Sequence, residues 1–178
     1  MLPDELLLNN DLFFIEVNRM LSKGCRVTMR PQGDSMIPFI KGGRDSIVLQ
    51  KTKEVDTGDI VLAHIPEKGY VLHRIYRMQG ERLTLMGDGN LHAREQCEKT
   101  EVSGKVIRIL RNGRYVECDS FRERFKADCW RRLLEKPNKF DPFGQTKSAH
   151  LVYHMITPLK VLVMGSILFY PFNFICFS

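Results

Sequence analysis

The chain has 178 residues, of which 43% are hydrophobic and 27% are charged, proportions that suit one domain with a substantial core and exclude a largely disordered protein. Its five cysteines are widely and irregularly spaced without a Cys-x-x-Cys pair, which argues against a zinc ribbon or a redox motif and favours free thiols in a reducing compartment. The net charge is +6, and the whole excess lies in residues 105–139, where eleven residues are basic and five are acidic.

The first two thirds of the chain predict one helix followed by strands. Residues 10–23 carry apolar side chains on one stripe and are followed by Gly24, which is typical of a short helix. Apolar segments then recur about every 8–12 residues between turn residues, as in an all-β barrel or sandwich. Asn112-Gly113 predicts a tight hairpin turn. The predicted strands are 27–29, 46–49, 60–63, 70–72, 82–86, 102–110 and 115–116.

The last third of the chain has a different pattern. In residues 121–133 apolar side chains alternate with arginines and a lysine, which predicts a basic amphipathic helix that ends before Pro137. Residues 161–177 contain no charged residue, a length at the lower edge of the ~17–25 residues that span a bilayer. We favour a tail that packs on the core or lies at an interface over a membrane span.

Three short elements in the β region carry candidate chemistry. Ser35 lies in a glycine-containing turn, His73 lies near the end of a predicted strand, and Gly87-Asp88-Gly89-Asn90 forms a tight turn after the next strand. A serine hydroxyl becomes a good nucleophile when an adjacent base removes its proton, and a neutral imidazole suits that task. The Ser35 amide could also donate to an oxyanion. Singly, such a serine is more often a turn residue and such a histidine a structural one, so the order of motifs carries the argument.

The motifs occur in the order Gly33-Asp34-Ser35-Met36-Ile37-Pro38, Asp56-Thr57-Gly58-Asp59-Ile60-Val61, His73-Arg74-Ile75, Gly87-Asp88-Gly89-Asn90 and Gly104-Lys105-Val106. That order resembles the superfamily of signal peptidases and LexA-type self-cleaving repressors, from about residue 26 to residue 110. The resemblance implies a mainly β, coiled-sheet fold in which Ser35 attacks a peptide carbonyl. In that superfamily the base is a lysine in most bacterial signal peptidases and in the repressors, and a histidine in the archaeal and endoplasmic-reticulum type. His73 stands at that place, so the chain is similar to the histidine branch.

The chain departs from the family pattern at the residue that orients the base. The histidine branch places an acidic residue a few positions past the Gly-Asp-x-Asn turn, where this sequence has Ala93-Arg94. Asp88 or Glu95 must then serve, or the site is a simple dyad. We place Asp88 with Ser35 and His73 in the candidate catalytic set, although an aspartate there also secures the turn. The residues predicted to bind substrate are Gly33, Asp34, Met36 and Pro38.

The sequence therefore predicts a mainly β protein with a short N-terminal helix and C-terminal helical segments. We divide it into an N-terminal helix (1–24), a peptidase-like β core (25–118) and a basic helix with a hydrophobic tail (119–178). The predicted function is that of a serine endopeptidase that cleaves a peptide or precursor protein through a Ser/His dyad. The alternatives are a self-cleaving regulator and a non-catalytic module that binds a membrane or nucleic acid.

The expected partners and location follow from the charge pattern. We predict no cofactor and no metal, since His150 and His154 lack a third ligand. The basic C-terminal region favours a membrane surface over nucleic acid as a second partner beside the peptide substrate. The N-terminal residues lack the pattern of a signal peptide, and the basic excess precedes the uncharged run. We expect a cytoplasmic protein, either free or at the cytoplasmic face of the membrane, and leave its oligomeric state open.

Overall fold

The computed structural model describes residues 10–66 and 68–134, which form an antiparallel sheet with a helix at each end of this part of the chain. The mainly β fold predicted from the sequence is confirmed. A 3-10 turn at Lys99–Glu101 joins the sixth and seventh strands. The elements are α1 (Asn10–Ser22), β1 (Val27–Met29), β2 (Ser46–Gln50), β3 (Ile60–Ile65), β4 (Gly69–Gln79), β5 (Arg82–Gly87), β6 (Asn90–Glu98), β7 (Val102–Arg111), β8 (Arg114–Glu117) and α2 (Phe121–Leu134).

The strands follow the order β1-β2-β7-β3-β4-β5-β6, and β8 pairs with β7. β7 and β8 form the predicted hairpin, in which Asn112 has a φ of 50° and Gly113 a φ of 72°. A tight hairpin turn needs positive φ at both central positions, which asparagine and glycine adopt most readily. β4 changes partner along its length: it pairs with β3 over Gly69–Arg74 and with β5 over Arg74–Gln79. This change of partner places the end of β5 beside the middle of β4.

The sheet buries apolar side chains on both faces. β3 shows this directly, because Ile60 and Leu62 belong to one buried cluster whereas Val61 and Ala63 belong to another. Successive side chains of a strand point to opposite faces, so a strand buried on both sides reads as a continuous apolar run. Helix α1 packs on the first cluster through Val17 and Leu21. The second cluster includes Ile75, Leu85 and Cys97.

Strand β6 was missing from the sequence prediction. Its sequence NLHAREQCE is rich in charged and amide side chains, which are poor strand formers, so no apolar alternation was visible. β6 is an edge strand, and polar residues are common on strands with one open edge. Glu95 and Cys97 are nevertheless buried on its inner face. This strand supplies one of the site residues described below.

Part of the sequence prediction lies outside the described residues. This holds for residues 135–178, which include Pro137, His150, His154 and the uncharged run 161–177. Within residues 10–66 and 68–134, no helix is long and apolar enough to cross a membrane.

Candidate active site

The turn that carries Ser35 is held from both sides by buried neighbours. Met36 and Ile40 are buried in the first cluster, and the amide of Ile40 donates to the carbonyl of Met36 at 2.9 Å. The amide of Ile37 donates to the carbonyl of Asp34 at 3.1 Å, which closes the turn around Ser35. Ser35 itself is exposed. The local sequence therefore fixes the backbone of the turn while leaving the hydroxyl accessible.

The Gly87-Asp88-Gly89 turn lies directly against the Ser35 turn. The amide of Gly89 donates to the carbonyl of Ser35 at 2.8 Å. A Cβ added at Gly89 would lie 2.9 Å from the carbonyl oxygen of Ile37, closer than real Cβ contacts. Gly89 is thus required because two backbone segments meet there, and only glycine permits such an approach. The two turns are adjacent in space although they lie far apart in sequence.

Ser35 and His73 converge on Gly87. A Cβ added at Gly87 would lie 3.3 Å from the Cβ of Ser35 and 3.2 Å from Nε2 of His73. The same atom would lie 2.6 Å from the carbonyl oxygen of Ser35, so the space that a side chain would fill at this position is taken by the two candidate catalytic residues. The predicted pair is therefore brought together on one side of the β5 terminus.

The carboxylate beside His73 is Glu95, the second of the two residues that the sequence left open. Nδ1 of His73 lies 3.0 Å from Oε2 of Glu95, and both side chains are buried. The strand register explains this contact. Ile75 of β4 pairs with Leu85 of β5, which pairs with Glu95 of β6, so the three side chains share one face of the sheet. His73 lies two residues before Ile75 and therefore points to the same face. With a glycine at position 87, the imidazole passes the end of β5 without obstruction. Nε2, the other ring nitrogen, lies beside Gly87, where the Ser35 side chain also lies.

Glu95 has a second partner at the protein surface. Nζ of Lys68 lies 3.1 Å from Oε1 of Glu95, and the Lys68 side chain is 53% exposed. One oxygen of the carboxylate thus faces the imidazole and the other faces a partly solvated ammonium group. The three side chains form a line from the solvent to the candidate nucleophile: Lys68, Glu95, His73.

Asp88, which we placed in the candidate catalytic set, pairs with Arg74 and not with His73. Its two oxygens accept hydrogen bonds from Nε and Nη2 of Arg74 at 2.8 and 2.7 Å, because Arg74, one residue after His73, points to the opposite face of β4. Burial alone would lower the pKa of Arg74, but the negative charge of Asp88 more than offsets it, and the pKa is raised. Arg74 also donates to the carbonyl of Gly58 at 2.7 Å. Asp88 is a buried structural partner of Arg74.

A cleft of ≈ 370 Å³ opens beside Ser35 and His73, a size within the usual range for ligand sites. Of the four residues predicted to bind substrate, Gly33 and Met36 line it, whereas Asp34 and Pro38 lie outside its lining. Its lining mixes apolar and polar residues. The lining residues that the sequence pattern did not single out are Phe13, Phe14, Met29, Arg30, Pro31, Gln32, Ile40, Gly42, Leu62, Tyr70, Val71 and Leu72.

Helix α1 forms one wall of this cleft. Phe14 stacks on Tyr70 with ring centroids 4.5 Å apart, and Asn18 donates to the hydroxyl of Tyr70 at 2.5 Å. The apolar stripe of a short helix and a tyrosine on a strand are common core features. Their place beside the nucleophile depends on tertiary packing, which the sequence pattern does not reveal.

Cys97 and Cys118 do not compete with Ser35 as nucleophiles. Burial raises the pKa of Cys97 to about 11 and that of Cys118 to about 12, so both remain protonated near neutral pH, and the thiol form is a poor nucleophile. Among residues 10–66 and 68–134, no group of three His, Cys, Asp or Glu side chains could hold a metal ion. The chemistry that the described site supports is that of a serine and an imidazole.

Comparison with known proteins agrees with the fold, which is mainly β with a helix at each end of the described residues. Residues 5–107, more than half of the chain, match the Peptidase S24-like family, and the chain belongs to this family. It is similar to LexA repressor 1 of Nocardia farcinica (strain IFM 10152), with 27% identity over 92 residues, which cover 52% of this chain and 42% of the repressor. The match thus spans less than half of the length of that curated relative.

Proposed function

We propose that the protein is a serine endopeptidase in which Ser35 is the nucleophile and His73 is the general base. The observation that carries this proposal is the convergence of the Ser35 side chain and Nε2 of His73 on Gly87. A nucleophile and a base on neighbouring elements, with the base oriented by a third group, is the arrangement that covalent peptide hydrolysis requires. Glu95 provides that third group at Nδ1 of His73.

The chemistry follows from the two nitrogens of the imidazole. Glu95 accepts a hydrogen bond from protonated Nδ1, so the lone pair of the ring lies on Nε2, which faces Ser35. Nε2 takes the proton of the Ser35 hydroxyl as Oγ attacks the peptide carbonyl. The same proton then passes to the leaving amine, which gives an acyl-enzyme that water hydrolyses. The amide of Ser35 is a candidate donor to the oxyanion.

We further propose that the chain belongs to the branch of the superfamily that uses histidine as its base. The residue in the lysine position of the repressor type is His73 here. A lysine base must be desolvated to lose its charge near neutral pH, whereas an imidazole is largely neutral there without such an environment. The carboxylate of Glu95 beside this position would favour the charged form of a lysine, so it suits the imidazole better.

The proposed substrate is an extended peptide. From Gly69 to His73, β4 pairs with β3, and the pairs between β4 and β5 begin only at Arg74. The other side of this half of β4 is a sheet edge to which an extended chain can add, with backbone hydrogen bonds for affinity and side-chain pockets for specificity. The cleft that Phe14 and Tyr70 help to line is next to this edge. It favours apolar side chains near the scissile bond.

The test uses a mixed library of peptides derived from a denatured proteome. Mass spectrometry identifies the bonds that are cleaved. We expect the wild type to cut a subset of peptides, and Ser35→Ala and His73→Ala to reduce cutting to background while their circular dichroism spectra remain native. A preference for apolar residues should be visible around the cleaved bonds. Cleavage that is equal in the wild type and in Ser35→Ala would rule out the mechanism, and a wild type without any cleavage would favour the non-catalytic alternative.

Self-cleavage is the second candidate, because the curated relative is a protein named as a LexA repressor. It uses the same Ser35 and His73 but acts on a bond of its own chain. Incubation of the purified chain alone distinguishes the two. A fragment that forms at a rate independent of protein concentration supports the self-cleaving regulator, whereas a stable chain that cuts added peptides supports the endopeptidase.

We also propose that α2 contacts an anionic membrane surface from the cytoplasmic side. Phe121 is 84% exposed and stacks on Phe125 at 6.3 Å, and Arg122 lies between them in the sequence. Aromatic rings beside basic groups suit the headgroup region of a bilayer. The full chain should sediment with vesicles that contain phosphatidylserine, and Phe121→Ala should weaken this, while Tyr115→Ala, an exposed aromatic change on β8, should not. Equal sedimentation of all three proteins would contradict the proposal.

A further inference from the structure

One peptide group connects helix α2 to the candidate nucleophile. The carbonyl of Asp88 accepts a hydrogen bond from Nε1 of Trp130 at 3.1 Å. The amide that follows it, that of Gly89, donates to the carbonyl of Ser35 at 2.8 Å. Both bonds belong to the single peptide plane between Asp88 and Gly89. An unbroken chain of hydrogen bonds therefore runs from the indole of α2 to the backbone of Ser35.

We propose that Trp130 is a positioning residue that fixes the backbone of Ser35 for attack, an inference that rests on the proposed peptidase function. Hydrogen bonds in series polarise one another, so the bond at the Asp88 carbonyl strengthens the bond from the Gly89 amide to Ser35. The Gly89 backbone has little freedom, because Ile37 and Asp34 carbonyls lie where a side chain would be. The orientation of this peptide plane thus sets where Ser35 lies relative to His73.

The indole N–H is the part of Trp130 that this role requires. Trp130 is buried, with 3% exposure, and its ring packs edge-on against Phe39 at 6.1 Å between centroids. Phe39 lies at the end of the Ser35 turn and its ring is covered by the guanidinium of Arg74 at 4.6 Å. The ring alone would account for docking of α2 on the core. The N–H, the only polar group of the side chain, points instead at the peptide plane behind Ser35.

This contact lies outside the segment that defines the family. The family match ends at residue 107, whereas Trp130 lies in α2, which begins at Phe121. The core of the fold provides Ser35, His73 and the Gly87-Asp88-Gly89 turn. In this chain a helix that follows the core donates a hydrogen bond to that turn through Trp130.

Trp130→Phe tests the inference, since it keeps a ring against Phe39 and removes the N–H. The readout is the rate at which an alkyl fluorophosphonate labels Ser35 in the full chain, followed by intact-protein mass spectrometry. We expect the maximal labelling rate to fall about tenfold, the effect of one lost hydrogen bond. The probe concentration that gives half of the maximal rate should change less than about twofold. Tyr115→Phe also removes one polar group and keeps a ring, but at a 63% exposed position of β8; it is the matched control and should label like the wild type.

A spectroscopic readout separates positioning from a merely structural role. Trp130 is the single tryptophan of the chain, so its indole gives one ¹H–¹⁵N resonance. Phosphonylation of Ser35 should shift this resonance, because the hydrogen-bonded chain ends on the modified residue.

The outcomes distinguish the inference from the function on which it rests. The role of Trp130 is overturned if Trp130→Phe labels as fast as the wild type. It is also overturned if the loss of labelling rate is fully explained by the fraction of the variant that is unfolded by circular dichroism. In both cases the peptidase proposal stands. An indole resonance that does not move on phosphonylation also overturns it. A wild type that neither cleaves peptides nor labels at Ser35 contradicts the proposed function itself.

Discussion

His73 and Arg74 are neighbours on β4, and each is held by one carboxylate, but the two pairs lie on opposite faces of the strand. His73 pairs with Glu95 beside the cleft and the exposed Ser35. Arg74 pairs with Asp88 on the face that α2 covers, where both side chains are buried and the geometry is bidentate. Although His73 and Arg74 are adjacent in sequence, the His73 pair lies beside the candidate nucleophile, whereas the Arg74 pair stabilises the fold. The comparison predicts that the two pairs fail in different ways when they are broken.

Glu95→Gln should have the largest effect, and the effect should be on activity. A glutamine amide can donate to Nδ1 and so favour the tautomer that carries its proton on Nε2, where it cannot accept the proton of Ser35. We expect labelling of Ser35 and peptide cleavage to fall about 10²–10⁴-fold, with a melting temperature close to that of the wild type. Glu81→Gln is the control, because Glu81 is 74% exposed and pairs with Lys99. If Glu95→Gln melts early and keeps the activity of its folded fraction, the proposed role of Glu95 is wrong.

Asp88→Asn should lower the free energy of unfolding, by about 3–5 kcal/mol, because it leaves the Arg74 guanidinium buried without a counter-charge. Urea unfolding followed by circular dichroism measures this. The exposed pair of Arg19 and Glu16 provides the contrast, and Glu16→Gln should leave the melting temperature nearly unchanged. A stability loss as small for Asp88→Asn as for Glu16→Gln would show that the two faces of β4 do not differ as described.

Asp45 is another buried carboxylate, and it predicts how stability depends on pH. Burial alone would raise its pKa, but hydrogen bonds from Arg44 and the Lys41 amide and the charge of Arg111 more than offset this, so the pKa is lowered. Its stabilising contribution is therefore complete above the pKa of an unfolded aspartate and is lost as the pH falls through the lowered folded-state pKa.

We expect Asp45→Asn to cost about 1–3 kcal/mol at neutral pH and to make stability less dependent on pH on the acid side. Unfolding by urea at a series of acidic pH values tests this. A pH dependence identical to that of the wild type would show that Asp45 is not one of the groups that acid titrates. The Arg74 pair should add no change at alkaline pH, since a raised arginine pKa keeps that group charged there.

Lys68→Gln should have the smallest effect. Its ammonium is 53% exposed and lies 3.1 Å from Glu95, so solvent screens the interaction. We expect less than about a threefold change in the labelling rate of Ser35 and no change in melting temperature. A loss that approaches that of Glu95→Gln would show that Lys68 is part of the catalytic machinery and would extend the site to the surface.

The sequence predicted the mainly β fold, most of its strands and the Asn112-Gly113 hairpin, and it selected Ser35 and His73, both of which lie beside Gly87. These features are local or follow from the order of recognisable motifs. The sequence analysis placed Asp88 in the catalytic set, whereas Glu95 lies beside His73. Which of the two carboxylates reaches the imidazole depends on the face of the strand to which each side chain points. β6 had not been predicted, so its register with β5, which places Glu95 beside His73, was not known.

Other features of the site depend on tertiary packing. Phe14 lies on a helix that precedes the core, and Trp130 lies on a helix that follows it, yet both reach the surroundings of Ser35. Trp130 is buried against Phe39 and anchors α2 on the core. The direction of its N–H is set by how α2 docks. No periodicity in the sequence encodes that direction.

The central claim is that His73 activates Ser35, and the pH dependence of Ser35 labelling tests it most directly. With an alkyl fluorophosphonate, the labelling rate of the wild type should rise with pH until the general base is fully deprotonated, because only the deprotonated base can accept the proton of Ser35. His73→Ala should label slowly without this rise, and His73→Lys should label measurably only at higher pH, since a free lysine loses its proton near ~10.4. Labelling of His73→Ala at the rate and with the pH profile of the wild type would contradict the account.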